Sequence, residues 1–375
     1  MTAKLLFVVN VPWFFISHRL PIALAAKSAG YDVHVATSAG PEVAQIRSKG
    51  LTVHEIPFTR SSSEILHELR TLYGLYMLYK KIQPDIVHHV TIKPVLYGSF
   101  IAGIVKVPNV VNAISGLGFV FIAEGLRAKL RRLLVKTAYR YVLRKKNVKV
   151  IFQNPDDQSM FINMGILNKE QAVLIKGSGV DTNLYFVQPE LDGPPVVVLI
   201  ARMLWDKGIK EFVEAARHLK KRGIEARFLL VGDIDKGNPK SISYQEIDLG
   251  CKENVVEWSG YSADIPKIMA SSHIVCLPSY REGLPKVLIE AAACGRAVVT
   301  TDVPGCRDAI EPDVSGLLVR VHDIKSLADA LERLITDDSL RRKMGRAGRV
   351  LAEREFTIQK VVDAHMAIYK DLVSI

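Results

Sequence analysis

Cysteine is scarce in this chain, and its placement is as informative as its number. The sequence has four, Cys251, Cys276, Cys294 and Cys306, and no two of them form a CxxC pair. Disulfide frameworks and zinc sites rely on paired cysteines, so this pattern argues against both. We expect a protein of the reducing cytosol.

Long apolar runs are absent as well. A transmembrane helix needs ~20 predominantly apolar residues, and the uncharged stretch 107–123 is shorter and broken by proline, asparagine and glycine. The apolar start KLLFVVNVPWFFIS could be a signal peptide, but Asn10 and Pro12 interrupt it and no small-x-small cleavage site follows. We interpret LLFVV as a buried first strand and expect no membrane span.

Acidic residues are few in the first half of the chain. Residues 1–187 carry 23 Lys and Arg against 11 Asp and Glu, whereas residues 188–375 carry 27 against 28. The formal net charge of +11 therefore belongs to the first half. This asymmetry predicts an anionic partner there, which could be nucleic acid, a membrane surface or a phosphorylated substrate.

Short β-branched runs alternate with helical stretches, in one series from KLLFVV to NVVNAI and in a second from PPVVVLIAR to GLLVR. Such alternation predicts parallel sheets with helices on both faces, and the length of 375 residues suits two domains. We therefore predict an α/β protein with two doubly wound, Rossmann-like domains facing across a cleft. Ligands are expected at the carboxyl ends of the strands.

The division of the chain is predicted from its composition. A stretch rich in Gly, Pro and Asp separates the two series. We expect an N-terminal domain over 1–180, a linker over 181–195 and a C-terminal domain over 196–350. Residues 351–375 are expected to form C-terminal helices that could cross back to the N-terminal domain.

The most specific stretch is HIVCLPSYREGLPKVLIEAAACGRAVVTTDVPG, residues 273–305, which predicts a strand, a loop, a helix and a strand. Pro285 suits the first helical position and Gly295 suits the end of the helix. The amides of Gly283 and Leu284 then lie at a helix N-terminus, which favours a phosphate.

Two glutamates, Glu282 and Glu290, frame this anion site. They are poor anion ligands but good acceptors for sugar hydroxyls. Surface glutamates at a Glu-x7-Glu spacing are common, so the bare pattern is weak. An EGLP sequence followed by an apolar helix, ACG and a strand is far less common, and it favours a binding site.

A second cluster lies in ARMLWDKGIKEFVEAA, residues 201–216. Arg202 directly follows a predicted strand and Lys207 precedes a helix, so both cations can neutralise a diphosphate at the edge of the sheet. Surface salt bridges flanking the helix are the alternative. Asp233 and Asp235 imitate a DxD metal motif, but these cations already serve the phosphates, so we expect no metal and no cofactor.

Four segments together, VVVLIARMLWDKGIKEF, FLLVGD, LPSYREGLPKVLIEAAACGRAVVTTDVPG and SGLLV, resemble the donor domain of the family-four retaining glycosyltransferases of GT-B fold. The resemblance covers about residues 196–350. It implies that Arg202 and Lys207 hold the nucleotide-sugar diphosphate, that Glu290 binds the ribose hydroxyls and that Glu282 holds the donor sugar. The implied catalytic residues are Glu282, Arg202 and Lys207, and the implied donor ligands are Arg202, Lys207, Glu282, Gly283, Leu284, Glu290 and Gly118.

The N-terminal half resembles bacterial transferases that extend undecaprenyl-diphosphate-linked glycans, through FFISHRLPIALAAKSAGYDVHVAT, PDIVHHVTIKPVLYG and ISGLGFVF. The resemblance implies a polyprenyl-diphosphate glycan as acceptor, with Gly116 and Gly118 bringing the backbone close to donor or acceptor. Many family members have a histidine where this chain has Ile114 and Ser115, so the resemblance supports no catalytic histidine there.

Several polar residues of the first half are candidates for acceptor contacts. His18 and Arg19 follow the first strand, where helix capping is the alternative role. Lys93 could meet the acceptor diphosphate or be a plain surface lysine. His88 and His89 end a predicted strand, where a hydrogen-bonding role in the structure competes with contact to substrate.

The segment LRAKLRRLLVKTAYRYVLRKKNVK, residues 126–149, holds ten basic residues and no acid. Its pattern is typical of a helix on an anionic bilayer; an ordinary solvated helix and a nucleic-acid surface are the alternatives. No nucleic-acid-binding motif accompanies it, so we expect no nucleic acid as partner. In the helix predicted over 64–82, tyrosine and methionine recur at helical spacing, which we interpret as core packing. The apolar residues of the basic segment near helical spacing are Leu126, Leu130, Leu133, Leu134, Tyr141 and Val142.

The sequence thus predicts a retaining, metal-independent glycosyltransferase that moves a sugar from a UDP-sugar, which we expect to be UDP-N-acetylhexosamine, onto a polyprenyl-diphosphate-linked sugar. We expect a peripheral protein at the cytoplasmic face of the inner membrane. Two alternatives stay open: a nucleotide-sugar epimerase or hydrolase of similar fold, and a membrane-bound sugar-nucleotide sensor.

Overall fold

The computed structural model describes residues 2–58, 65–116, 126–235, 237–238 and 240–373, and all of their side chains except those of residues 126–132. The chain divides into two compact units. Unit 1 comprises Met1–Ser178 together with Ile358–Ile375, and unit 2 comprises Gly179–Thr357.

Unit 1 is built on a seven-stranded sheet of parallel strands in the order β3-β2-β1-β4-β5-β6-β7. Its strands are near-continuous apolar runs because helices cover both faces of such a sheet. The strands are β1 (Lys4–Val9), β2 (Asp32–Thr37), β3 (Thr52–Glu55), β4 (Ile86–Val90), β5 (Asn109–Ile114), β6 (Val148–Phe152) and β7 (Ala172–Leu174).

Seven α-helices connect these strands within the described residues, with a short π-helical turn, Pro94–Gly98, leading into the fifth. They are α1 (Pro12–His18), α2 (Leu20–Ser28), α3 (Glu42–Ser48), α4 (Ile65–Ile82), α5 (Ser99–Val105), α6 (Leu126–Leu143) and α7 (Pro155–Asn163). A single 3₁₀ turn, Lys169–Gln171, precedes β7.

Unit 2 contains a six-stranded parallel sheet in the order β10-β9-β8-β11-β12-β13, which is the 3-2-1-4-5-6 order of doubly wound nucleotide-binding domains. The strands are β8 (Val196–Ile200), β9 (Arg227–Val231), β10 (Glu257–Trp258), β11 (Ile274–Leu277), β12 (Ala297–Thr301) and β13 (Gly316–Val319). Its helices are α8 (Ile209–Lys221), α9 (Tyr244–Lys252), α10 (Ile265–Ala270), α11 (Lys286–Ala293), α12 (Ile324–Thr336) and α13 (Asp338–Glu355).

The last helix, α14 (Ile358–Val373), belongs to unit 1, where it packs on α2. Its buried face includes Val361 and Tyr369, and the Tyr369 hydroxyl lies 2.5 Å from Nδ1 of His88 on β4. Residues 181–195, predicted as a linker, belong to unit 2 in this division of the chain.

His88 and His89 are both fully buried, on opposite faces of β4. Nδ1 of His89 lies 2.9 Å from the amide oxygen of Asn112, and Nε2 lies 2.8 Å from the Tyr79 hydroxyl. Burial lowers the pKa of His89 to about 4, so its ring is neutral at physiological pH. These contacts favour the hydrogen-bonding role over contact with substrate.

The expectation that the tyrosine and methionine side chains of α4 pack in the core is wrong for two of them. Tyr73 is 65% exposed and Met77 is 48% exposed, whereas Leu75 and Tyr79 of the same helix are fully buried. Both faces of this helix are apolar, so periodicity alone could not show which of them meets the sheet.

Candidate active site

The carboxyl ends of β8, β11 and β12 place the predicted donor-site residues in unit 2. After β8 the chain passes Arg202 and a 3₁₀ turn, Trp205–Lys207, before α8 begins. Gly208 joins the turn to the helix with a left-handed φ of +75°, and a Cβ there would lie 2.1 Å from the carbonyl oxygen of Pro278. Glycine therefore allows the loops after β8 and β11 to pack closely.

Lys207 and Glu282 form an ion pair between these two loops, through Nζ and Oε1. The hydroxyl of Ser279 lies 2.7 Å from the same carboxylate oxygen and 2.9 Å from the carbonyl oxygen of Asp206. The side chain of Lys207 is only 20% exposed and that of Glu282 only 13%. The carboxylate is thus fixed in orientation, and a lysine charge is held at the edge of the sheet where a phosphate can reach it.

The loop after β12 supports the Glu282 backbone. The amide of Glu282 donates to the carbonyl oxygen of Pro304 over 3.1 Å. A Cβ on Gly305, whose φ is +83°, would lie 2.5 Å from the carbonyl oxygen of Gly283 and 2.6 Å from that of Glu282. Only glycine fits this contact, so Gly305 helps to set the position of the Glu282–Gly283 backbone.

Helix α11 begins at Lys286, one residue later than predicted, because Pro285 has an extended backbone (ψ 120°) and precedes the helix. The predicted end is confirmed: Gly295 adopts φ +64° directly after the cap residue Cys294. Leu284 is 6% exposed and packs in the core of unit 2, so it can offer a ligand its amide but not its side chain.

Arg202 pairs with Asp235, at 2.8 Å between Nη1 and Oδ2. Its side chain is 46% exposed, so solvent weakens this interaction. Asp235, the second acid of the DxD-like sequence, is therefore ion-paired with the Arg202 guanidinium in this structure. Among the residues that the structure describes, no group of three or more His, Cys, Asp or Glu side chains is arranged to hold a metal ion.

Glu290 is 6% exposed in α11, and its burial raises the pKa of the carboxyl group. Tyr185 interacts with this carboxylate, and Lys286 Nζ lies 3.4 Å from its Oε1. Tyr185 comes from the segment predicted to be a linker, which instead contributes a polar contact to this helix. The role of Glu290 in binding ribose stays a prediction.

The acceptor candidates of unit 1 have different surroundings. His18 stacks on Phe14 with 4.0 Å between ring centroids, and Arg19 is 1% exposed. Burial lowers the pKa of Arg19 to about 10. Lys93 is ion-paired with Glu68 of α4 at 2.6 Å. Gly118, predicted as a donor ligand, lies outside the described residues.

Sequence reasoning missed a second polar contact set beside the Lys207–Glu282 pair. The Tyr280 hydroxyl donates to Glu211 Oε1 over 2.8 Å, and His322 Nδ1 lies 3.2 Å from the same oxygen. Tyr280 and Ser279 lie inside the specific stretch 273–305, where a hydroxyl directly after a strand was a usable signal. Glu211 and His322 offered none, because 111 residues separate them in the chain.

Comparison with known proteins identifies the family and the fold of the chain. The description "Glycosyl transferases group 1" matches residues 181–351, and "Glycosyl transferase 4-like" matches residues 4–154. The fold is shared with Anabaena Alr3699/HepE in complex with UDP and glucose (TM-score 0.78, 20% identity, covering 100% of both chains). The family models and the shared fold thus define a glycosyltransferase of GT-B fold.

Two relatives show to which glycosyltransferases the chain is similar along most of its length. The chain is 30% identical to the N,N'-diacetylbacillosaminyl-diphospho-undecaprenol alpha-1,3-N-acetylgalactosaminyltransferase of Campylobacter jejuni, over 87% of this chain and 90% of the relative. It is 26% identical to the UDP-Gal:alpha-D-GlcNAc-diphosphoundecaprenol alpha-1,3-galactosyltransferase of Escherichia coli, over 85% and 83%. The chain belongs to this family of group 1 and 4-like glycosyltransferases, and it is a hexosyltransferase.

The predicted role of Glu290 can be tested on UDP binding alone. Glu290→Gln should weaken UDP affinity roughly 10- to 100-fold, the worth of a hydrogen bond to a charged group, and raise KM with little change in kcat because the ribose is bound equally in ground and transition states. Tyr185→Phe, which removes only the hydroxyl that contacts Glu290, is the matched control and should have the smaller effect. Unchanged calorimetric UDP affinity in Glu290→Gln would show that this residue does not bind the ribose.

Proposed function

We propose that this protein transfers an N-acetylhexosamine from a UDP-sugar onto a polyprenyl-diphosphate-linked sugar, with retention of anomeric configuration and without a metal. The observation that carries the proposal is the Lys207–Glu282 pair, fixed by Ser279 at the carboxyl edge of the sheet in unit 2. The UDP complex of a structural neighbour and the lipid-linked acceptors named for two relatives support it.

In this mechanism the leaving group is the UDP diphosphate. Lys207 and Arg202 stabilise the charge that develops on it, and the amides of Gly283 and Leu284 face its phosphate near the start of α11. Glu282, held by Lys207 and Ser279, accepts hydrogen bonds from donor-sugar hydroxyls. The acceptor hydroxyl attacks on the face that the diphosphate leaves, and a departing phosphate oxygen takes its proton. Preorganised charge thus supplies most of the rate enhancement.

A donor screen tests the proposal directly. The purified protein is incubated with single UDP-sugars and with polyprenyl-diphosphate sugars, and products are identified by mass spectrometry and by the anomeric coupling constant. A glycosidic product of unchanged anomeric configuration with UDP-N-acetylhexosamine is expected. Sugar release or isomerisation at the same rate without acceptor would instead indicate a hydrolase or an epimerase, and binding without turnover would indicate a sensor.

We also propose that unit 1 contacts an anionic membrane surface through α4, α5 and α6, which pack side by side. Exposed cations, Arg140, Arg144 and Lys146, lie in or just after α6. Apolar side chains beside such cations suit the interface of an anionic bilayer. The large apolar side chains exposed on these three helices are Ile65, Leu66, Leu69, Tyr73, Met77, Phe100, Ile104, Leu133, Leu134 and Tyr141.

Two structural details refine the sequence interpretation of this segment. Val142, counted among its membrane-facing residues, is 4% exposed and packs in the core of unit 1, whereas Leu134 is 63% exposed. Within the described residues no helix has both the length and the apolarity needed to cross a bilayer. The exposed apolar and cationic side chains of α4, α5 and α6 support our proposal of a peripheral position at the cytoplasmic face of the inner membrane, where the acceptor lipid is available.

Leu134→Glu should weaken binding to anionic vesicles even at low salt, because it removes an apolar contact and adds a repelled charge. The variant should fold normally, since the Leu134 side chain is mostly exposed. Leu249→Glu, at a 57% exposed leucine of unit 2, is the matched control and should bind like the unmodified protein. Vesicle sedimentation with circular dichroism measures both, and equal sedimentation of the unmodified protein with neutral and anionic vesicles would contradict the proposal.

A further inference from the structure

A pocket of about 190 Å³ lies at the carboxyl ends of β4 and β5 in unit 1. Thr91 directly follows β4 and Ser115 directly follows β5, and both line it. This edge of a parallel sheet is where doubly wound domains bind their ligands. The apolar side chains that form its walls are Phe14, Ile92, Val95, Ile114 and Tyr139.

The size of the pocket limits its occupant. An engineered cavity of about 150 Å³ holds a benzene molecule, so a pocket of about 190 Å³ takes one ring-sized group or a branched substituent. A long polyprenyl chain needs far more space. The occupant is therefore a small part of a larger ligand.

The polarity of the pocket limits its occupant further. No charged side chain is among its described lining residues, and Phe14, Ile92, Val95 and Ile114 offer no hydrogen bond, so a sugar hydroxyl turned toward these four side chains would lose hydrogen bonds to water without replacement. The polar side-chain atoms of its described lining are the hydroxyls of Thr91, Ser115 and Tyr139. The Thr91 hydroxyl already donates to Asn10, whereas the buried Oγ of Ser115 has no hydrogen-bond partner among the described residues. Such an atom is costly to bury unless a ligand or water satisfies it.

An acetamido group fits both the size and the polarity of the pocket. Its carbonyl oxygen can accept a hydrogen bond from Ser115, while its methyl group contacts the apolar walls. From the pocket's place, size and polarity we infer that it binds an acetamido substituent of the acceptor sugar. This inference rests on the proposed function and specifies the class of acceptor sugar.

The surroundings of the pocket support an acceptor sugar over a lipid. The acceptor candidate His18 stacks on Phe14, and Phe14 lines the pocket. His18 can therefore bind a polar group of the acceptor next to the apolar wall of the pocket. Thr91 adopts a left-handed φ of +74°, and its hydroxyl donates to Asn10 over 2.9 Å. This turn brings Ile92 to the pocket at the end of β4.

Two acceptor probes that differ only at carbon 2 test the inference: a short-chain polyprenyl diphosphate bearing N-acetylglucosamine, and the same lipid diphosphate bearing glucose. Binding is measured by calorimetry without donor. The unmodified protein should bind the acetamido probe at least roughly ten-fold more tightly, because one group lost from a hydrophobic pocket typically costs ~10- to 200-fold. Ile92→Ser and Ser115→Ala should each bring this affinity ratio toward one.

Ile162→Ser is the matched control, since Ile162 packs half-buried against the same core cluster but does not line the pocket. It should leave the affinity ratio unchanged. Equal binding of the two probes, or a ratio that survives both pocket substitutions, would overturn the inference. Transfer assays separate the two proposals: a protein that shows the ratio but transfers sugar to neither probe keeps the pocket assignment and contradicts the proposed function.

Discussion

Lys207→Ala should lower kcat/KM by roughly 30- to 1,000-fold, corresponding to about 2–4 kcal/mol of lost transition-state stabilisation, the usual cost of removing one preorganised charge partner. Lys207 is expected to act twice, on the developing charge of the leaving diphosphate and on the orientation of Glu282, with which it is paired. Steady-state kinetics with the donor identified in the screen measures the effect.

Two comparisons make this prediction sharper. Lys210→Ala removes an exposed cation three residues further along and should leave kcat/KM nearly unchanged. The double variant Lys207→Ala/Glu282→Gln separates the two actions of Lys207. If the lysine only orients Glu282, the double variant should match Glu282→Gln alone, whereas a further loss shows direct action on the diphosphate. Near-normal turnover of folded Lys207→Ala would remove this residue from the active site.

Gly305→Ala should inactivate the enzyme more severely than its loss of stability explains. The added Cβ would come within 2.5–2.6 Å of the carbonyl oxygens of Gly283 and Glu282, and backbone cannot swing aside as a flexible side chain can. The loop carrying Glu282 must shift, and a displacement of ~1 Å in a catalytic group can cost about 100-fold in rate. Kinetics and thermal unfolding of the same preparation measure the two effects.

Gly223→Ala controls for backbone strain. Gly223 has a φ of +72°, close to the +83° of Gly305, but a Cβ there meets nothing within 4 Å. Both variants should therefore lose the ~1 kcal/mol typical of an L-residue forced into this region. Gly305→Ala should lose further stability through its backbone contact, and only this variant should lose activity. Equal kcat/KM in the two variants would show that the contact with Glu282 and Gly283 does not matter for catalysis.

The sequence predicted the two parallel-sheet units well, because buried parallel strands have near-continuous apolar sequences. It also indicated Lys207 and Glu282, separately, as candidate donor-site residues. Their direct contact could not be foreseen from spacing, since 75 residues separate them and only the pairing of β8 with β11 brings their loops together. Resemblance to a family supplied the roles of these residues, and the structure supplied the partner, Ser279, that fixes the carboxylate.

The sequence could not predict features that depend on which of several similar surfaces packs against the rest of the fold. The helix α4 has apolar residues on both faces, so Tyr73 could not be told from Tyr79 until the sheet was in place. Pro285 is compatible with a first helical position by its ring geometry, yet its ψ of 120° keeps it outside the helix. The pocket beside Ser115 was invisible for a similar reason, because its walls come from separate segments of unit 1.

The C-terminal helix sets the order in which the nascent protein can finish folding. A chain synthesised as far as Ser178 already contains every strand of the first sheet but not Tyr369, whose ring later packs within 6.4 Å of Phe7 and 6.2 Å of Tyr31. Unit 2 is uninterrupted in sequence and is complete while the ribosome still holds the last helix. At ~5–20 residues per second, the interval is on the order of ten seconds or longer. The unit begun first is therefore completed only after unit 2 has been synthesised, and the apolar surface that α14 covers stays exposed until then.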